Sequence, residues 1–125
     1  MTTESADRPV AADVRTADRD GVLVATVTGD LDPVGVASAG TALDGLLDKR
    51  PAALVVDLAV SFLSSAGLSM LLKLHGRAQD DEIGFVIVAQ DHAAQHPLFL
   101  TGLSEVLPLA DTVDAAVDSL RKNGN

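Results

Sequence analysis

Short β-branched and aliphatic runs alternate with segments whose apolar positions recur three and four residues apart, and this alternation predicts a βαβ order. Val22 to Val27 form one such run after Gly21, and Gly29-Asp30 marks its end as a turn. Residues 10–17 are placed to pair with it as a hairpin around Asp20-Gly21. Asp32 followed by Pro33 then reads as a helix cap with proline at the first helical position, and Leu43, Leu46 and Leu47 give that helix its buried stripe.

Pro51 closes the helix. Ala53 to Leu58 is apolar on both faces, as expected of a central strand in a mostly parallel sheet, and Ala59 to Ser64 is expected to be the loop at its end. A second helix is predicted from Ser65 to Gln79. Its apolar side is Leu68, Leu71, Leu72 and His75, widened by Met70 and Leu74, while Ser69, Lys73 and Arg77 fall four apart on the other side. Further on come a strand at Phe85 to Ala89 introduced by Gly84, a helix over His92 to Leu100, a short edge strand at Glu105 to Ala110, and a last helix from Thr112 to Lys122. The expected fold is α/β, a mixed sheet of four to five strands with helices interspersed after three of them. Residues 1–9 are read as a flexible tail, 10–122 as the single domain, and 123–125 as a C-terminal tail.

Composition narrows the function. The chain has 125 residues, enough for one core and little more. With no Trp or Tyr and only three Phe, that core must be aliphatic. A formal net charge of −9 repels phosphate backbones and anionic lipid, so neither nucleic acid nor a membrane surface is an expected partner. The absence of cysteine removes disulfides, thiolate zinc sites and a thiol nucleophile. The first ten residues carry Glu4, Asp7, Arg8 and Pro9 where an export signal needs a basic start and an apolar run, and a cytoplasmic setting is expected.

The chemistry concentrates at Phe62-Leu63-Ser64-Ser65-Ala66-Gly67-Leu68, where a central strand gives way to a helix. The crevice beyond strand C-termini is where open α/β sheets dock ligands and partners. A helix N-terminus there offers free N–H groups and a partial positive charge to a phosphate on Ser64 or Ser65. One serine suffices as a cap; two adjacent ones exceed that need. Gly67 is small enough to admit a neighbouring backbone or to serve internal packing.

This segment resembles the Asp-Ser-Ser-Gly-Leu signature of the STAS domain in bacterial anti-sigma-factor antagonists. Thr28-Gly29-Asp30-Leu31-Asp32 resembles that family's Gly-Glu-Leu-Asp turn, and Val56-Asp57-Leu58 resembles the strand leading to the signature. Leu100-Thr101-Gly102-Leu103 and Thr112-Val113-Asp114-Ala115-Ala116 are similar to its later segments. In register, Ser64 stands where the family has Asp, Ser65 at the phosphorylated serine, Ala66 at the second serine, and Gly67-Leu68 match. The resemblance implies Ser65 as phosphoacceptor. The missing Asp leaves Ser64 as a rival.

The resemblance further implies a protein that is not an enzyme and needs no cofactor. Unphosphorylated, it would bind an anti-sigma factor of the serine-kinase type and so regulate sigma-factor-dependent transcription; the kinase would release it by phosphorylation, and a PP2C-type phosphatase would restore it. The expected partner surface is Asp30, Asp32, Ser64, Ser65, Gly67, Ser69, Lys73 and Arg77. The alternatives are a STAS-like scaffold or small-ligand sensor that is never phosphorylated and, ranked lower, a serine hydrolase, for which the Gly-x-Ser-x-Gly elbow is missing and Ser65 has no evident base. His92 and His96 with Asp91 have the spacing of helical metal ligands but no third partner, and are read as capping and surface positions.

Overall fold

Asp20 and Gly21 both adopt positive φ, 56° and 88°, which is the geometry of a two-residue hairpin turn whose twist matches the flanking strands. The turn joins β1 (Asp13–Arg19) to β2 (Val22–Leu31), paired antiparallel from Arg19↔Val22 to Asp13↔Thr28. The computed structural model describes residues 12–123. Among these, β3 (Ala53–Leu63), β4 (Gly84–Val88) and β5 (Leu109–Ala110) complete a sheet of order β1-β2-β3-β4-β5 in which every pairing after the hairpin is parallel. The helices are α1 (Pro33–Asp48), α2 (Ser65–Asp80), α3 (His92–Leu100) and α4 (Val113–Asn123), with a 3₁₀ turn at Leu103–Glu105.

Parallel neighbours require crossovers, and these put helices on both faces. One face of the sheet, with Ala25, Val27, Leu54, Val56 and Ile87, packs under Ala39, Leu43 and Leu47 of α1, Leu71 and Leu74 of α2, and Leu98 of α3. On the other face Val22, Val24, Val55, Val86 and Val88 meet, among the described residues, α4 through Ala116, Val117 and Leu120. β3 is therefore buried on both sides from Ala53 to Val56, the origin of its unbroken apolar run.

The structure departs from the sequence expectations at particular points. β2 does not stop at Gly29-Asp30. A bulge, with Gly29 at φ 92°, shifts the register there and lets the strand continue to the fully buried Leu31. The segment 59–63 is strand, not loop, because Val60 and Leu63 remain core residues and pair with that continuation. The apolar face of α2 is centred on Gly67, Leu71, Leu74 and Ala78, which rotates Leu72 into solvent. The edge strand shrinks to two residues behind the 3₁₀ turn, and helices follow four strands where three were expected. Asn123, assigned to a tail, is the last residue of α4. The tail at 1–9, the domain start at Val10 and residues 124–125 lie outside the described residues.

Candidate functional site

The continuations of β2 and β3 run past the end of β4, so two helix N-termini emerge side by side at the same end of the sheet. Asp32 caps α1, its Oδ1 accepting from the Gly35 amide at 2.7 Å. Ser64 caps α2, its Oγ accepting from the Gly67 amide at 3.2 Å. The two caps are tied through one carbonyl: Leu31 O accepts from the Ser64 amide at 3.0 Å and from the Ser64 hydroxyl at 2.5 Å.

Of the glycines in these first turns, Gly35 is a steric necessity and Gly67 sits in a tight seat whose nearest atom is the end of a leucine side chain. A Cβ on Gly35 would sit 1.9 Å from the Asp30 carbonyl oxygen, and one on Gly67 would sit 2.6 Å from Leu63 Cδ1 and 3.2 Å from Leu31 Cβ. Gly67 is thus buried against its own chain and seats α2 on the sheet. It offers no surface to a partner, and the packing role is the one the structure supports.

The two serines are not equivalent. Ser64 is part-buried with its hydroxyl engaged at both ends. Ser65, the first residue of α2, is exposed, and its hydroxyl makes no hydrogen bond among the described residues. Amides of the first helical turn lie beside it without intrahelical partners. For a hydrolase, Ser65 would need a hydrogen-bonded base, and no side chain among the described residues takes that position.

Of the other expected surface residues, Asp30 and Asp32 are half-buried beside the α2 cap. Ser69 and Lys73 are exposed one and two turns down α2. They border a groove of about 310 Å³ between the helices, with Val36, Gly40 and Asp44 on the α1 side. Arg77 stands apart from these residues. Twelve residues along, it lies roughly 18 Å from Ser65. Its guanidinium is committed within the chain, to Asp48 at 2.5 Å, Asp44 at 3.2 Å and Asp81 at 3.5 Å. The Asp48 hydrogen bond holds its pKa above the ordinary arginine value; desolvation opposes that shift, and the Asp44 hydrogen bond adds to it.

Two residues were missed. Phe62 is 51% and Val34 is 66% exposed, the first just before the serine pair and the second on the first turn of α1. They add apolar contact area to an otherwise polar end of the sheet. The clue for Phe62 was present: it is one of three Phe residues in the chain, placed next to the buried Leu63, in a strand where neighbours point to opposite faces.

With this geometry in place, the STAS domain model matches residues 13–116. The chain belongs to the STAS domain family. It is 33% identical over 118 residues to the anti-sigma-F factor antagonist RsfB of Mycobacterium tuberculosis, covering 90% of this chain and 93% of that one. Its fold superposes on the crystal structure of an anti-sigma factor antagonist from Mycobacterium paratuberculosis with a TM-score of 0.84 at 36% identity, covering 91% and 97% of the two chains. The Bacillus cell fate determinant SpoIIAA in its phosphorylated form gives a TM-score of 0.63 at 16% identity, over 88% of this chain and 99% of that one, a likeness of fold alone.

Elsewhere, His92 and His96 stack with ring centroids 4.7 Å apart beside a cavity of about 420 Å³ that reaches Leu109 and Asp111. His75 stacks on Phe85 at 5.9 Å. Among the described residues no three His, Asp or Glu side chains converge as metal ligands, and no helix is long and apolar enough to cross a membrane. Asp57 sits half-buried on the face that α4 covers in part. Desolvation holds its carboxyl above the usual carboxylate range, the Thr26 hydroxyl at 3.4 Å opposes that shift, and Asp91 adds to it.

Proposed function

We propose that this STAS domain is an anti-sigma-factor antagonist acting in the cytoplasm. In its unphosphorylated form it binds an anti-sigma factor of the serine-kinase type through the end of the sheet around the α2 N-terminus, with Ser65, Ser69, Lys73, Asp30, Asp32 and the apolar Phe62 and Val34 in the contact. Phosphorylation of Ser65 releases it, and a PP2C-type phosphatase resets it. The single observation that carries this reading is the contrast between the serines. A kinase reaches the Ser65 hydroxyl without breaking a hydrogen bond, whereas modifying Ser64 removes the cap of α2 and its tie to Leu31. The likeness to RsfB in name and sequence supports the choice of partner.

The switch has sufficient energy. A phosphoserine adds about −1.5 to −2 charges to a contact surface, and a desolvation and repulsion cost of roughly 3 kcal/mol lowers affinity on the order of a hundredfold. The test is incubation with a serine-kinase anti-sigma factor and ATP, with intact mass, fragment mapping and calorimetric binding before and after. The expected result is one phosphate on Ser65, tight binding before it and weak binding after, with Ser65→Ala binding but taking no phosphate. Phosphate on Ser64 alone, or equal affinity of both forms, would overturn the mechanism. A scaffold or small-ligand sensor retains one supporting observation, the cavity beside His92 and Phe99, and it predicts no phosphate under any condition.

A further inference from the structure

The sheet has two edges, and they are unlike. β5 contributes two residues, whereas β1 contributes seven, paired to β2 on one side and, among the described residues, bare on the other. Because the two-residue turn makes Arg19↔Val22 a hydrogen-bonded pair, the backbone groups of Arg19, Ala17, Arg15 and Asp13 face β2. Those of Val14, Thr16 and Asp18 face away, leaving three amides and three carbonyls directed outward, a row that templates another strand.

Edge strands are commonly protected by charges that repel a second strand. The β1 charges have a different pattern. Antiparallel pairing with an identical strand about Thr16 sets Thr16 opposite Thr16, Val14 opposite Asp18, and Asp13 opposite Arg19 at both ends. Centring instead on Arg15 sets arginine opposite arginine, centring on Ala17 sets Arg15 opposite Arg19, and centring on Asp18 sets aspartate opposite aspartate. The Thr16 register therefore uses all seven residues, directs the outward groups at one another and joins opposite charges twice. Among the described residues of the single chain, Asp13 bonds the exposed Arg15 at 3.0 Å, and Arg19 bonds the exposed Asp114.

We infer that β1 is a self-association edge, along which two copies of this chain pair antiparallel about Thr16 to continue their sheets into one. The net charge of −9 opposes approach at long range, but that repulsion is screened beyond about 10 Å at 0.1 M salt, while the Asp13–Arg19 pairs act at contact. Ser65, at the end of the central β3, stays free in such a dimer, so the inference stands apart from the proposed switch.

Sedimentation equilibrium of the full chain at about 0.15 M salt tests it. The wild type should show a reversible dimer. Asp13→Arg and Arg19→Asp should each weaken it at least about tenfold, since each turns two attractive cross-strand pairs repulsive. A mixture of these two variants should recover dimer as a one-to-one heterodimer, because the native and introduced arginines of one variant then face the native and introduced aspartates of the other. Thr16→Pro removes an outward amide without touching the hairpin and should abolish the dimer with the circular dichroism unchanged. A wild type that stays monomeric up to about 1 mM, or a dimer indifferent to Thr16→Pro and to the charge changes, would overturn the inference.

Discussion

Adjacent serines with opposite duties make a sharp experiment. Ser64→Ala deletes the acceptor of the Gly67 amide and the hydroxyl that donates to Leu31 O, while the Ser64 amide still reaches that carbonyl at 3.0 Å. Loss of a serine cap costs about 1 kcal/mol, and the lost hydroxyl donation adds about 0.5 to 1 kcal/mol because Leu31 O keeps one partner. The expected total is roughly 1.5 to 2 kcal/mol. With an unfolding entropy near 2.1 cal/mol/K per residue, about 0.26 kcal/mol/K for 125 residues, this lowers Tm by about 6 to 8 °C.

Ser65→Ala should change stability by less than about 0.5 kcal/mol, since the hydroxyl bonds nothing among the described residues and the site is exposed. Ser65→Glu should stabilise by about 0.3 to 1 kcal/mol through the helix N-terminus. Urea unfolding followed by far-ultraviolet circular dichroism, with m held equal across the set, measures all three differences. If Ser65→Ala costs as much as Ser64→Ala, the assignment of cap and free hydroxyl is wrong, and with it the basis for choosing Ser65 as acceptor.

Other expectations follow from the same geometry. Gly67→Ala should cost about 1 to 3 kcal/mol in urea because its methyl group enters the Leu63 and Leu31 side chains, and Gly35→Ala should cost more because its obstacle, the Asp30 carbonyl oxygen, is backbone. Equal tolerance of both would contradict the packing. Leu71→Ala, at a fully buried position under the sheet, should lose about 2 to 5 kcal/mol by the same measurement, and a loss under about 1 would mean that α2 is not seated as described. Asp57 titrates above its ordinary 3.8 in the folded chain, so the native state holds the proton more tightly than the unfolded one and stability falls as pH rises from near 3.8 through the folded value. Asp57→Asn should remove that slope and be relatively more stable at neutral pH; an unchanged pH profile would show that Asp57 is not the group responsible.

Much of this was legible in the sequence because the cues were local. Asp32-Pro33, Asp20-Gly21 and the double-sided apolar run 53–58 each have a short-range cause, and each element formed where that cause lies. What escaped was non-local. Gly29-Asp30 carries turn chemistry, and only pairing with residues 60–63 of the neighbouring strand turns it into a bulge. The phase of α2 was read from its leucines, but the buried Gly67 and Ala78 also belong to its seated face, and at Gly67 close approach to Leu31 and Leu63 selects a small residue that a hydrophobic count passes over. Arg77 was grouped with Ser69 and Lys73 by helical spacing alone, and its ion pairs to Asp44 and Asp48 were out of sight because those partners lie on another helix. The serine pair was visible at once, yet which hydroxyl is free depends on the Leu31 carbonyl, 33 residues upstream.

The position of Ser65 also constrains how a phosphate there would act. At the start of α2 the charge meets a helix N-terminus, which favours it, so phosphorylation should leave the fold intact and release must arise at the contact surface. Two physical routes differ in range. Repulsion from acidic groups across the interface is screened, and the Debye length falls from about 10 Å at 0.1 M salt to about 3 Å at 1 M. The cost of stripping water from the phosphate arises at contact and persists in salt. The exposed Phe62 and Val34 at this end of the sheet point to a contact that excludes water, so desolvation should dominate. The affinity ratio between the bare and phosphorylated chains, measured by calorimetry at about 0.1 M and 1 M salt, should then change less than about threefold. A ratio that collapses toward one at high salt would make the switch a matter of long-range charge, and would shift attention from Phe62 and Val34 to Asp30 and Asp32.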